Sequence, residues 1–374
     1  MTKKKTVSIA NWALIILATS MWTFMGSMIT PTSKHHDFLN IYTGAKLALD
    51  GRFSELHAID VQLAQERVYV PQLPDLVPFV RPPVYALVLA PLALIPFETA
   101  FWVWIALQTL LLFGCWYWAY RHYPADSLVF SALYLPTALG IASGQDCVVM
   151  LVISVASYHL LRSDKPFAAG AVLALGLVKF HLFLLWPLAM LVAKEWKMLA
   201  GFSATGALEV LASLALGGIT GAKHYIAMLT NKDLERLSPS PELMINTQSI
   251  AANLANGNLA VLAACTLLVA VGWWIAIRNA PRWRWWLGTA VAGLLVTPHV
   301  YGYDAGLMLL PVWLALFENT EKRLRIVATL VSTPLPFLIS LADTPWSVVA
   351  SLALVALLAA TAMSAIGQRE RVSL

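Results

Sequence analysis

The chain has 374 residues, of which 59% are hydrophobic and only 12% charged, with a net charge of +5 and a mean hydropathy of +0.71. A soluble globular chain carries about 25% charged residues, so this composition excludes a water-soluble protein. The Lys and Arg residues gather in short intervals between apolar runs, which gives them a topological meaning and excludes nucleic acid as a partner. The apolar runs are continuous rather than alternating. Only helices or a closed barrel satisfy the backbone in hydrocarbon, so the fold class is an all-α polytopic membrane protein occupying the whole chain.

In chain order, Lys3, Lys4 and Lys5 precede an apolar run from Ile9 to Ile29, long enough to span the bilayer. It lacks the short apolar centre and small-residue cleavage site of a signal peptide, so residues 1–30 are read as a first transmembrane helix with its lysines in the cytoplasm. Residues 31–83 then form an extracytoplasmic loop. It opens on Asp37, carries Tyr42, Gly44 and Lys46, and closes on Phe79-Val80-Arg81-Pro82-Pro83. Within it, Glu55 to Val68 places Leu56, Ile59 and Leu63 on one face against Glu55, Asp60, Gln62, Glu66 and Arg67. That pattern predicts a helix lying along the membrane surface or, more simply, a solvated connector.

Further apolar segments run from Val84 to Leu94, Phe101 to Ala119, Leu128 to Ala142, Val148 to Leu161, Phe167 to Val178, Leu182 to Ala193 and Leu199 to Leu216, a bundle over 84–216. A second long extracytoplasmic loop follows over 217–258. The C-terminal bundle, 259–374, holds Leu259 to Ile277, Trp285 to Thr297, Ala305 to Phe317, Leu324 to Leu341 and Trp346 to Ile366. Several segments, at about 11 to 16 residues, are too short to cross alone, and short or Pro-broken helices are tolerated where they line a cavity. About 12 to 13 transmembrane or re-entrant helices result, in a multi-pass protein of the cell's inner membrane. The basic clusters at Arg162 and Lys165, Lys194 and Lys197, Arg278 to Arg284, Lys322 to Arg325, and Arg369 with Arg371 all fall in the cytoplasm if Phe167 to Ala193 is a hairpin of two half-length helices. Gln145, Lys179 and His299 then share the outer side with Asp37. Val84 to Leu94 would be re-entrant; the alternative, a single crossing by Phe167 to Ala193, buries Lys179 in the bilayer and moves Gln145 inside. The tryptophans, mostly at segment ends, suit an interfacial belt.

Asp37-Phe38 followed by Tyr42, Ala45 and Gly51, then Arg81-Pro82-Pro83 leading to Ala90-Pro91-Leu92, resembles the signature of GT-C membrane glycosyltransferases. More narrowly it resembles glycosyltransferase family 87, the polyprenol-phosphate-mannose-dependent mannosyltransferases. The similarity continues through Gly144-Gln145-Asp146, Ala169-Gly170, Val178-Lys179-Phe180-His181, Asn246-Thr247-Gln248-Ser249 and Thr297-Pro298-His299. The resemblance implies a GT-C-like bundle and an inverting enzyme that takes a sugar, mannose foremost, from a polyprenyl-phosphate donor. The acceptor would be a lipid or glycan on the extracytoplasmic face, and the first-loop aspartate the base. This sequence departs in carrying Arg81 where the family has Tyr before Pro-Pro, and Cys147 where it has Asn.

The residues carry the same chemistry on their own. Transfer needs a carboxylate to accept the proton of the acceptor hydroxyl, and Asp37 is the candidate; its plain alternative is an interfacial acid or helix cap. Phosphate leaves, so cations must meet its charge: Lys179, a lone Lys in an apolar interval, then Arg81 and His299. Snorkelling, a lipid-headgroup contact and packing by Tyr301 and Tyr303 are the respective alternatives. Tyr42, Gln145, Asn246, Gln248 and His181 are candidates to bind sugar or acceptor, although satisfied loop amides look the same. His35 and His36 are adjacent and lack a third ligand, so no metal is expected, and no cofactor beyond the lipid-phosphate sugar as co-substrate. Cys115, Cys147 and Cys265 read as core residues. A competing class, a lipid or small-molecule transporter or flippase, would also show broken helices and an intramembrane Lys, but no internal repeat accompanies them.

Overall fold

A computed structural model describes residues 9–27, 37–231, 241–342 and 344–372, which form helices with no strand among them. In order they are α1 (Ile9–Ser27), α2 (Leu39–Leu49), α3 (Ile59–Tyr69), α4 (Pro83–Leu89), α5 (Phe97–His122), α6 (Asp126–Leu133), α7 (Leu135–Ala142), α8 (Cys147–Arg162) and α9 (Pro166–Ala174). There follow α10 (Leu185–Val192), α11 (Trp196–Leu229), α12 (Thr247–Ala255), α13 (Leu259–Ile277), α14 (Arg282–Val296), α15 (Leu309–Trp313), α16 (Lys322–Ser332), α17 (Leu335–Ser340) and α18 (Val349–Val372). Among the described residues five stretches are long and apolar enough to cross a membrane: Phe97–His122, Pro166–Phe183, Trp196–Leu229, Leu259–Ile277 and Trp346–Ile366. The chain is an all-α, multi-pass membrane protein. His35 and His36 lie outside the described residues.

One end of the bundle is drawn together by ion pairs. Arg282 Nε lies 3.2 Å from Glu195 Oε1 and its Nη2 lies 3.4 Å from Asp164 Oδ1, while Nη1 donates to the Leu161 carbonyl at 2.9 Å. Arg162 pairs with Glu318 at the same end. Residues 164 and 195 bracket the interval from α9 to α10, so both ends of that interval meet at Arg282. The segment is therefore a hairpin of two short halves. Its turn, a 3-10 stretch over Leu175–Lys179 and a single helical turn over Phe180–Phe183, carries Lys179 to the opposite end.

α11 then runs back along α9 at close range. A Cβ added to Gly170 would lie 1.8 Å from the Met198 carbonyl oxygen, and one at Gly201 2.0 Å from that of Phe167, so the two backbones approach as only glycine allows. The apolar pattern that predicts an end at Leu216 is outrun, because α11 continues to Leu229 across a break at Gly218, where φ is 63°. At roughly 1.5 Å per residue, the 34 residues span about 50 Å, enough to reach the first loop. There His224 Nδ1 donates to the Ser54 carbonyl at 2.9 Å.

α3 corrects the expected amphipathic face. Its polar Gln62 and Glu66 are wholly buried while Val68 is 67% exposed, because the helix docks on the extended segment that follows rather than on lipid. Gln62 Nε2 donates to the carbonyls of Leu56 at 2.6 Å and Phe79 at 3.1 Å, and Phe79 N donates back to Gln62 Oε1 at 2.9 Å. Val77 N donates to Glu66 Oε2 at 3.0 Å. Two polar side chains one turn apart thus supply partners for a strand-like segment that has no sheet to join. The tryptophans also depart from a simple belt: Trp186, Trp285 and Trp286 are fully buried and form a cluster with ring centroids 4.6 to 6.1 Å apart.

Candidate active site

The end of the bundle opposite Arg282 gathers the charges that the turns at that end carry. Arg81 is placed by the segment that α3 holds, and two further side chains finish the clamp. His57 Nε2 donates to the Arg81 carbonyl at 2.9 Å, and Tyr225 on α11 donates to the Val80 carbonyl at 3.3 Å. Burial lowers the His57 imidazole to about 4, so the ring is neutral with its proton on Nε2. Pro82 and Pro83 then fix an extended exit and the first turn of α4.

The partner of Arg81 comes from the turn between α7 and α8. Gly144 has φ of 76°, and a Cβ there would lie 2.8 Å from that of Phe38, so the turn sits directly against the chain beside Asp37. Trp104 on α5 anchors it by donating to the Gly144 carbonyl at 2.8 Å. Asp146, immediately before α8, receives the guanidinium as a fork, with Nε to Oδ2 at 2.7 Å and Nη2 to Oδ1 at 3.1 Å. Arg81 Nη1 donates to Asn40 Oδ1 and Nη2 to Gln145 Oε1, each at 3.2 Å.

Lys179 enters the same knot from the hairpin turn. Its Nζ lies 2.8 Å from Asp304 Oδ1, 3.1 Å from Asp146 Oδ1 and 3.3 Å from Gln145 Oε1, and 5.7 Å from the centroid of the Tyr303 ring. All of Arg81, Asp146, Lys179 and Asp304 are buried. Gln145 Oε1 accepts from both cations, beside the half-buried Asp37 carboxylate. Burial raises the Asp37 carboxyl above the ordinary carboxylate range, against the hydrogen bond from Gln145 and the pull of Lys179 and Arg81.

Asp37, Arg81, Gln145 and Lys179 are therefore brought together. His299 stands beside them, exposed, with its ring 5.0 Å from Tyr301 and 6.1 Å from His181. Three candidates are placed elsewhere. Tyr42 donates to the Ile95 carbonyl at 2.7 Å and packs its ring on Tyr69 and Phe97. Asn246 caps α12, accepting from Ser249 N at 3.0 Å, and donates to the Thr297 carbonyl at 2.8 Å, so both ends of its amide are spent on backbone. Gln248 is half-buried on α12 and hydrogen-bonds none of the four.

The structure adds Asn40, Asp146, Asp304 and Tyr303, none of which the sequence reading placed in the site. A signal existed: two cations in apolar surroundings require anions, and Asp146 and Asp304 are acids flanked by apolar helices. Arg81 and Lys179, read from sequence as open phosphate ligands, are each already paired. Arg81, where the family resembled has Tyr, comes with the buried acid Asp146. Among the described residues no group of three or more His, Cys, Asp or Glu side chains is arranged to hold a metal.

The site thus sets a half-buried carboxylate beside two buried cations inside a helical membrane bundle. The family comparison makes the class specific: residues 79–298 match the model of glycosyltransferase family 87, and the chain belongs to that family. It is a membrane glycosyltransferase. Arg81, Gln145, Asp146 and Lys179 fall inside the matched region, whereas Asp37, His299 and Asp304 fall outside it. No curated protein and no solved structure gives a significant match.

Proposed function

We propose that the protein is an inverting glycosyltransferase that moves mannose from a polyprenyl-phosphate donor to a lipid-linked or glycan acceptor on the extracytoplasmic face of the inner membrane. Asp37 is the general base. It would take the proton of the acceptor hydroxyl as that oxygen attacks the anomeric carbon, and the lipid phosphate would leave from the opposite face of the sugar. The observation that carries this reading is the convergence of Lys179 and Arg81 on the Gln145 amide oxygen beside Asp37, whose carboxylate both cations stabilise. It fixes the base next to the positive charge that a departing phosphate needs. A carboxyl raised by its surroundings is also a better base than one in water, provided that it is ionised.

The test uses purified protein with a synthetic polyprenyl-phosphate mannose and a panel of glycolipid acceptors, product being read by mass spectrometry. Asp37→Asn should abolish turnover while binding the donor nearly as well as the parent. Turnover that survives in this variant refutes the assignment of the base, and absence of any mannosyl product refutes the assignment of the sugar.

A further inference from the structure

The buried charges have a balance that a phosphate donor must upset. Lys179 has three N–H donors: it donates to Asp304 and to Gln145, and it is ion-paired with Asp146 at 3.1 Å. To meet a phosphate oxygen, one of those three must let go. Asp146 is fixed by the Arg81 fork on both its oxygens, and Gln145 carries no charge to exchange. Asp304 differs: its Oδ1 is held by Lys179, while Oδ2 is anchored separately by the N–H of Tyr301 at 3.1 Å. It can release the lysine without losing its place. It also stands on the side where His299 is exposed, the side from which a ligand can arrive.

Releasing Lys179 leaves Asp304 as a buried carboxylate without its cation, and a second anion has just entered. With Arg81 and Lys179 positive and Asp37, Asp146 and Asp304 negative, the ionised site already carries one surplus negative charge. A singly charged phosphodiester would make it two in surroundings that screen charge poorly, which is strongly unfavourable unless a proton follows. The other titratable groups that sense Asp304 are the Asp37 carboxyl, the imidazoles of His181 and His299, the hydroxyls of Tyr301 and Tyr303, and the thiol of Cys147. Of these Asp37, a carboxyl only half-buried, and the exposed His299 are the rival seats for the proton.

Resting on the reading of the donor as a lipid phosphate, we propose that Asp304 holds the place of the donor phosphate on Lys179 and takes up one proton from solvent when the phosphate displaces it. Donor binding then consumes one proton, no covalent bond changes, and donor release returns the proton. Asp304 is thus a positioning residue for Lys179 and sets how donor affinity responds to pH.

The probe is farnesyl methyl phosphate, a sugar-free phosphodiester whose single charge is constant between pH 5.5 and 8. Its binding to the full chain in a neutral detergent is measured by calorimetry, in buffers of differing ionisation enthalpy, to count protons. The expected result is about one proton taken up per ligand and a Kd that weakens about tenfold per pH unit on the alkaline side. Asp304→Asn should take up none and bind at least tenfold more tightly at pH 8, while His299→Gln and Asp37→Asn should each keep the proton count. A pH-independent Kd in the parent chain overturns the proposal without need of any variant. So does a proton count that persists in Asp304→Asn or vanishes in His299→Gln or Asp37→Asn, or binding that requires added Mg2+ instead of a proton. Failure of the probe to bind at any pH overturns the lipid-phosphate reading itself, and this inference with it.

Discussion

Replacing Arg81 by Tyr, the residue that the family resembled carries there, tests whether the buried pair is understood. The change would be tolerated if position 81 only shaped the loop, whereas a large loss would show that the cation is used. The structure expects the loss. The substitution removes the fork on Asp146, which is completely buried, and leaves two buried acids, Asp146 and Asp304, sharing Lys179 as their one remaining cation. Removing one partner of a buried pair costs about 3 to 5 kcal/mol, and retention of Lys179 by Asp146 puts the expected loss at the lower end, about 3. At roughly 1 kcal/mol per 2 to 4 °C for chains larger than a small domain, the melting transition should fall by about 6 to 12 °C when followed by tryptophan fluorescence in detergent. The double variant Arg81→Tyr with Asp146→Asn removes the stranded charge and should recover most of the loss. A second readout follows from Asp37. Arg81 is one of the cations that oppose the rise of its carboxyl. Without Arg81 the carboxyl moves higher still, and the acidic limb of the transfer rate shifts to higher pH, since only the ionised base works. An Arg81→Tyr variant of parental stability, or a double variant no better than the single, would show that the pair does not carry the charge balance assigned to it.

Glu66 gives a pH-dependent stability with a definite sign. Burial pushes its carboxyl up to about 8, above its unfolded value, so its contribution is complete below the ordinary carboxylate range and is lost as pH rises through about 8, at up to about 1.4 kcal/mol per pH unit. The parent should therefore melt progressively lower between pH 5 and 8 while Glu66→Gln, which keeps the acceptor for Val77 N, varies less; parallel curves would refute this. Asn246→Ala should lower stability by about 1 kcal/mol through loss of the α12 cap and leave the KM for donor unchanged. A raised KM at parental stability would return Asn246 to the sugar site.

What was legible in the sequence follows the physics of each signal. Apolar continuity announces a helix wherever it sits, so the bundle, the first apolar helix and the hairpin around Lys179 could all be read without coordinates. Charge in an apolar interval is similarly loud, and it led to Lys179. Loudness does not say whether a cation is free. Lys179 meets Asp304, 125 residues further along the chain, and Arg81 meets Asp146, 65 residues further along. Such pairings depend on how the hairpin turn, the Gly144 turn and the first loop converge, which no local pattern encodes. The same limit explains α3. Its period of 3.6 was visible, and Leu56 is buried while Asp60 and Arg67 are exposed as that pattern has them, but Gln62 and Glu66 are buried because they satisfy the backbone of Phe79 and Val77, and a hydropathy pattern records only the aversion of a side chain to water. Asn246 errs in the opposite direction: an amide with both ends spent on main chain looks identical, in sequence, to one that reads a sugar. Some polar residues buried in this bundle close the backbone's hydrogen bonds, as Gln62 and Asn246 do, whereas Arg81, Gln145, Asp146, Lys179 and Asp304 face one another, and it is on these and Asp37 that the proposed site rests.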